Sequence, residues 1–179
     1  MFKSVCTKLL VSALALTLLL PALNASAAEP AAPNASSASP AVNLAPSARS
    51  AVLMDADSGT VIFDKNSHDK LPPASITKIM TMLLIMEALD DGRLKLTDKV
   101  STSEYAASMG GSQIFLEPGE EMTVDEMIRG IALASGNDAS VAMAEKLAGT
   151  EAQFVNMMNE KAKQLGMNDT HFANCNGLP

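Results

Sequence analysis

Residues 75–92 read SITKIMTMLLIMEALDDG, and this stretch decides the fold. After Ser75 nearly every position as far as Leu89 is apolar. Gly92 follows as a typical helix stop. Because a helix that is apolar on nearly all faces is normally buried on all sides, the stretch predicts the central helix of a folded domain.

A β-hairpin is predicted upstream of this helix. Ser50–Met54 (SAVLM) and Thr60–Phe63 (TVIF) are short runs of β-prone residues, and the segment between them, DADSG, has the composition of a turn. Pro72 and Pro73 then end any regular element before Ser75.

Helices dominate the rest of the chain. Two sequences that match capping boxes, at Thr123–Glu126 and Thr150–Gln153, mark helix starts. A hairpin followed by helices predicts an α+β fold. Beyond the central helix, three helices are expected: one from the first capping box to Ala134, one over Asp138–Ala148, and one from the second capping box to Leu165.

The N-terminal residues have the layout of a secretory signal peptide. Met1–Lys8 is basic, Leu9–Leu20 is uncharged and apolar, and Ala25-Ser-Ala27 forms a cleavage site. An uncleaved anchor is the alternative. We therefore expect a signal peptide over 1–27 and export of the protein.

The next segment, 28–47, reads AEPAAPNASSASPAVNLAPS, which predicts a linker with little to bury. The folded domain is then expected to occupy 48–179.

Net charge and residue spacing argue against two classes of ligand. The chain carries 13 basic and 20 acidic residues, a formal net charge of −7, which argues against nucleic acid as a partner. His68 and His171 are isolated and share no metal-ligand spacing with Cys or carboxylates, so no metal or other cofactor is predicted.

Ser75 and Lys78 form the first candidate catalytic pair. Their spacing places the hydroxyl and the amine on one helical face, and burial would lower the pKa of the lysine. A serine beside a neutral lysine can act as nucleophile and base. The alternative is a helix-capping serine beside a lysine that reaches solvent. Ser67 and Lys70 repeat the spacing in a polar stretch before two prolines, which predicts a solvated turn.

Ser135-Gly136-Asn137 is the second candidate motif. It falls between two predicted helices, where a loop can direct side chains into a cleft. Ser135 could relay a proton, and Asn137 could hold a base or a substrate carbonyl. The alternative is a simple helix stop, with Gly136 ending one helix and the next residues capping another.

Together these motifs resemble the serine penicillin-binding protein and β-lactamase superfamily, and most closely the low-molecular-weight D-alanyl-D-alanine carboxypeptidases. The resemblance runs almost continuously over residues 47–179. The blocks that carry it are SAVLMDADSGTVIFDKN, PPASITKIMT, GGSQIFLEPGEEMTV, IRGIALASGNDASVAMAE and GMNDTHFANCNGLP.

The resemblance implies a role for each motif. Ser75 would be the acylated nucleophile and Lys78 its base; Ser135 would pass the proton to the leaving amine, and Asn137 would orient Lys78 and the substrate. Gly136 and Ser112 would contact the substrate. That substrate would be a peptidoglycan pentapeptide ending in D-Ala-D-Ala, and β-lactams would be covalent inhibitors.

The sequence departs from the family pattern in one respect. The family's third motif, Lys-Thr-Gly on a strand, does not occur before Pro179. We therefore expect 48–179 to be the N-terminal part of a β-lactamase/DD-peptidase-like fold whose C-terminal strands are missing. Alone it would be inactive and would lack any C-terminal membrane anchor.

Two other functions stay open at the sequence level. One is a class A-like β-lactamase. It is disfavoured because those enzymes place a Glu four residues before an Asn, a spacing this chain lacks. The other is a non-catalytic fragment.

Overall fold

The structure is a computed structural model, and it describes residues 44–179. The predicted signal peptide, 1–27, and most of the predicted linker lie outside the described residues. Within residues 44–179, no helix combines the length and the apolar composition needed to cross a membrane.

The predicted β-hairpin is present. Strands β1 (Ala51–Met54) and β2 (Val61–Lys65) pair antiparallel. Asp55 closes the turn, since its carboxylate accepts the Ser58 amide at 2.8 Å. Contacts begin slightly before the expected domain start, because Lys65 Nζ donates to the Ala45 carbonyl at 2.9 Å.

The central helix is α1, Lys78–Asp90, preceded by a short 3-10 helix, Ala74–Thr77. The prediction that it is buried on all faces holds for one face only: Ile85 is fully buried, whereas Ile79 is 69% exposed. In the described part of the chain β1 and β2 pair only with each other, and they leave this outer face of α1 uncovered.

A second small sheet was not predicted. Strand β3 (Lys99–Ser101) pairs antiparallel with β4 (Glu121–Thr123), and the one-turn helix α2 (Glu104–Ala107) follows β3. Three-residue strands are too short to show the apolar alternation by which a strand is recognised in a sequence.

The remaining helices match the predictions closely. They are α3 (Val124–Ala134), α4 (Asn137–Ala148) and α5 (Glu151–Gln164). The capping box before α3 forms in full, with Thr123 and Glu126 each accepting the other's backbone N–H. The mixture of helices and small sheets is the expected α+β architecture.

Helix α4 lies at the centre of the core. Its first eight residues are buried, and it contacts α1, α2, α3, α5 and β3. Small side chains such as Ala139, Ala142 and Ala144 let these neighbours approach closely. Larger side chains, among them Met127, Met143 and Phe154, fill the space between the helices and are fully buried.

Asp138 ties α4 to the loop before β4. Its buried carboxylate accepts the backbone N–H groups of Ile114 and Leu116 at 3.1 Å each. Phe115, between these two donors, takes a left-handed conformation (φ 62°) and is 79% exposed. One buried charge therefore shapes a loop that otherwise has little regular structure.

We expect Asp138→Ala to lower the free energy of unfolding by about 3 kcal/mol, because the buried Leu116 N–H and the partly buried Ile114 N–H lose a charged acceptor. Urea denaturation of the purified full-length protein measures the loss. Asp98→Ala is the control, since it removes an exposed bond to the Lys95 amide. Equal losses in the two variants would contradict the anchoring role of Asp138.

Candidate active site

Ser75 lies in the 3-10 helix immediately before α1 and is exposed. The residue before it, Ala74, has a φ of 52°, in the left-handed region that alanine rarely adopts. Such strain persists only where the surrounding structure enforces it, and it is concentrated at functional sites.

Lys78 is the first residue of α1, and its side chain is directed back toward Ser75. The residue is only 5% exposed. Its Nζ lies 3.1 Å from Ser75 Oγ and 2.8 Å from the carbonyl oxygen of Asn176. A neutral amine has two N–H bonds and one lone pair. If one N–H binds the Asn176 carbonyl, the lone pair can face the Ser75 hydroxyl proton.

Burial lowers the pKa of Lys78 below its ordinary value of 10.5, because the ammonium form loses solvation. The Cys175 thiol acts weakly in the opposite direction when it ionises. Burial, reinforced by Glu151, raises the pKa of Cys175. The thiol is therefore uncharged near neutral pH, and no thiolate charge opposes the lowering of the Lys78 pKa.

The Ser135-Gly136-Asn137 motif lies where α3 ends and α4 begins: Ser135 and Gly136 form the predicted break, and Asn137 is the first residue of α4. Ser135 is half-buried and has a φ of 57°. The buried Asn137 donates from its side-chain amide to the Gly110 carbonyl at 2.7 Å and from its backbone to the Ser112 carbonyl at 2.8 Å. Asn137 Oδ1 is buried and has no hydrogen-bond partner among residues 44–179. It is a buried acceptor whose hydrogen-bonding capacity is unused among these residues.

The structure brings together some of the predicted site residues. Ser75 contacts Lys78, and Asn137 contacts Ser112. Among the described residues no hydrogen bond joins Ser135 or Asn137 to Lys78. The lysine is held instead by Asn176. Sequence reasoning missed this contact because the acceptor is a backbone carbonyl, and a carbonyl leaves no side-chain signature.

The second copy of the Ser-Lys spacing has different surroundings. The Ser67 hydroxyl donates to the Asp64 carboxylate, and Lys70 is exposed. Between them, His68 pairs with Asp169 at 2.8 Å on the surface. This segment is a solvated turn, as the sequence predicts.

Comparison with known sequences gives one consistent family. The family model described as D-alanyl-D-alanine carboxypeptidase, peptidase S11, matches residues 34–179. The chain is 68% identical over 129 residues to the D-alanyl-D-alanine carboxypeptidase DacF of Bacillus subtilis, which covers 72% of this chain and 33% of that protein. It is 42% identical over 135 residues to DacA of Escherichia coli K12, with 72% and 34% covered.

Solved structures agree with the sequences. The D-alanyl-D-alanine carboxypeptidase DacD from Francisella tularensis is 41% identical with a TM-score of 0.72, over 74% of this chain and 32% of that one. Penicillin-binding protein 5 from Haemophilus influenzae is 36% identical with a TM-score of 0.71, over 73% and 39%.

The fold is thus the one that these carboxypeptidase and penicillin-binding protein structures share over the part that this chain covers. The chain belongs to the D-alanyl-D-alanine carboxypeptidase family, peptidase S11. It spans about a third of the length of the curated relatives it matches.

We expect Gly177→Ala to damage the nucleophile segment. A Cβ at Gly177 (φ 86°) would lie 1.9 Å from the Ala74 carbonyl oxygen, so the backbone next to Ser75 would have to move. Gly92→Ala is the matched control, because Gly92 has a similar φ of 77° and no heavy atom within 4 Å of the new Cβ. Urea denaturation should show a loss of about 1 kcal/mol for the control, from backbone strain alone. The loss for Gly177→Ala should be clearly larger; similar losses would contradict the close approach.

Proposed function

We propose that the whole protein is a serine-type D-Ala-D-Ala carboxypeptidase that removes the terminal D-Ala from peptidoglycan stem peptides. The observation that supports this most directly is the 3.1 Å contact between Ser75 Oγ and the buried amine of Lys78. The names of the relatives support the same activity.

The proposed reaction uses the Ser75–Lys78 contact and the role that the family resemblance implies for Ser135. Ser75 Oγ attacks the carbonyl of the penultimate D-Ala while Lys78 Nζ takes the hydroxyl proton. The proton that Lys78 has accepted reaches the leaving amine through the Ser135 hydroxyl, and free D-Ala departs as the peptide bond breaks. Water then hydrolyses the ester on Ser75. The Ser75 N–H, at a helix start, is suited to stabilise the oxyanion.

Three further residues complete the proposed site. Asn137, with its unpartnered buried Oδ1, would accept a hydrogen bond from the substrate amide or from Lys78. Ser112 and Gly136 flank Asn137 and would border the bound peptide.

We also propose that β-lactams acylate Ser75. A related structure, penicillin-binding protein D2 from Listeria monocytogenes, is in an ampicillin-bound form, at 28% identity and a TM-score of 0.67. The four-membered lactam ring presents a carbonyl to the serine as the peptide does.

The proposed place of action is outside the cytoplasm. Peptidoglycan is an extracytoplasmic polymer, so an enzyme that trims its stem peptides has to be exported. The expected signal peptide, 1–27, would direct export, and the linker 28–47 would separate it from the catalytic domain. The class A-like β-lactamase alternative is disfavoured, because no Glu lies four residues before an Asn in this chain.

We expect Ser75→Ala in the full-length protein to abolish covalent labelling by a fluorescent penicillin, because the acyl acceptor is lost. Ser67→Ala is the matched control and should label normally, since Ser67 lies in the solvated turn. Labelling is read on a denaturing gel, which retains only covalent adducts. Loss of labelling in Ser67→Ala, or its survival in Ser75→Ala, would refute the assignment of the nucleophile.

We expect Lys78→Arg to slow acylation by about 10²-fold or more, because a guanidinium keeps the positive charge but does not deprotonate. Lys70→Arg is the control and should acylate at the parental rate.

In the parental protein the acylation rate should rise as pH increases through the lowered pKa of Lys78, since the neutral amine is the active form. Stopped-flow acylation against pH measures both effects, and a fully active Lys78→Arg variant would exclude the base role.

A further inference from the structure

The turn that holds Lys78, residues 174–178, is itself fixed by two side chains distant in sequence from it. We infer that Thr81 and Glu151 are positioning residues for Lys78. They hold the backbone of Cys175 from both sides, and the adjacent Asn176 carbonyl then sets where the amine lies. This inference rests on the proposed role of Lys78 as the base.

Thr81 holds the carbonyl side of Cys175. Its hydroxyl donates to the Cys175 carbonyl oxygen at 2.6 Å, and the residue is fully buried. Thr81 lies three residues after Lys78 on α1, on the same helical face. One rigid helix therefore carries both the amine and the group that anchors the turn holding it.

Glu151 holds the amide side of Cys175. Its Oε1 accepts the Cys175 N–H at 3.0 Å, and its Oε2 accepts the Tyr105 hydroxyl at 2.7 Å. Glu151 is the first residue of α5, where the helix dipole favours a carboxylate. The hydrogen bond that the Tyr105 hydroxyl donates to Glu151 raises the pKa of Tyr105 to about 12. Tyr105 therefore stays protonated and keeps donating to Glu151.

The turn is also bonded internally. Asn174 Oδ1 accepts the Gly177 N–H at 2.7 Å, and Asn174 Nδ2 donates to the Leu178 carbonyl at 2.7 Å. The turn thus moves as a unit, and a shift at Cys175 is passed to the Asn176 carbonyl. Lysine has a long, flexible side chain, so its amine needs a fixed partner if it is to stay within reach of Ser75.

The test uses two pairs of substitutions in the full-length protein. Thr81→Val removes the hydroxyl at nearly constant shape, and Thr81→Ser retains a hydroxyl. Glu151→Met removes the acceptor, and Glu151→Gln retains one for the Cys175 N–H. Tyr105→Phe is the outer control, because it breaks only the bond to the other oxygen of Glu151.

The readout is the acylation of Ser75 by penicillin, with active sites titrated first so that rates refer to folded protein. Saturation kinetics separate the binding constant from the acylation rate constant. We expect Thr81→Val and Glu151→Met each to lower the rate constant about tenfold with little change in binding, because small displacements of a catalytic group are costly. Thr81→Ser, Glu151→Gln and Tyr105→Phe should stay within about twofold of the parent.

The outcomes are distinct. Parental protein that takes up no penicillin overturns the proposed function and this inference with it. Normal parental acylation with unchanged rates in Thr81→Val and Glu151→Met overturns the inference alone. A loss in Thr81→Ser or Glu151→Gln as large as in its partner variant also overturns it, since the hydrogen bond would then not be the cause. Should one removal variant fail to fold, the other decides.

Discussion

The buried amine of Lys78 lies between Ser75 Oγ and the Asn176 carbonyl, and the described site is built around that placement. A buried ammonium is costly, so the surroundings favour the neutral form that a base requires. The Asn176 carbonyl binds the amine on one side, and Ser75 Oγ lies on its other side. The proposed nucleophile and base thus come from one short segment, whereas the carbonyl that binds the amine belongs to a residue 98 positions away.

That long-range contact explains several features that otherwise look unrelated. Gly177 has no side chain, so the turn can pass against the Ala74 carbonyl. Thr81 is a polar residue in an apolar helix because its hydroxyl meets Cys175. Cys175 is a buried thiol with a raised pKa, and at neutral pH it adds no charge beside the lysine. Each feature keeps the turn close to α1 or leaves the lowered pKa of Lys78 unopposed.

Helix α4 and the Ser135-Gly136-Asn137 motif also depend on contacts between residues that are distant in sequence. The loop before it places Ser135 in a left-handed conformation, and its first turn carries Asn137 and Asp138 into the core. Asp138 fixes the loop at residues 114–116, while Asn137 holds Gly110 and Ser112. The residues after the short break between α3 and α4 therefore hold the irregular loop at residues 110–116.

The sequence by itself determined the local features. The capping box at Thr123 predicted the start of α3, the apolar run after Ser75 predicted α1, and the turn composition after Met54 predicted the hairpin. Each depends on residues within a few positions of one another, where spacing alone fixes which groups meet. The Ser75–Lys78 pair is predicted from such local spacing. The polar surroundings and the two following prolines likewise predict that Ser67 and Lys70 form only a solvated turn.

Only the tertiary structure decided the rest. It showed that α1 is buried on one face, that β3 pairs with β4, and that Lys78 is bound by a backbone carbonyl. Strands of three residues carry too little pattern to be recognised. A carbonyl is the same in every residue, so its position depends on how the chain folds back on itself. The sequence therefore does not predict that the Asn176 carbonyl binds Lys78; only the fold, which places the two residues side by side, shows this contact.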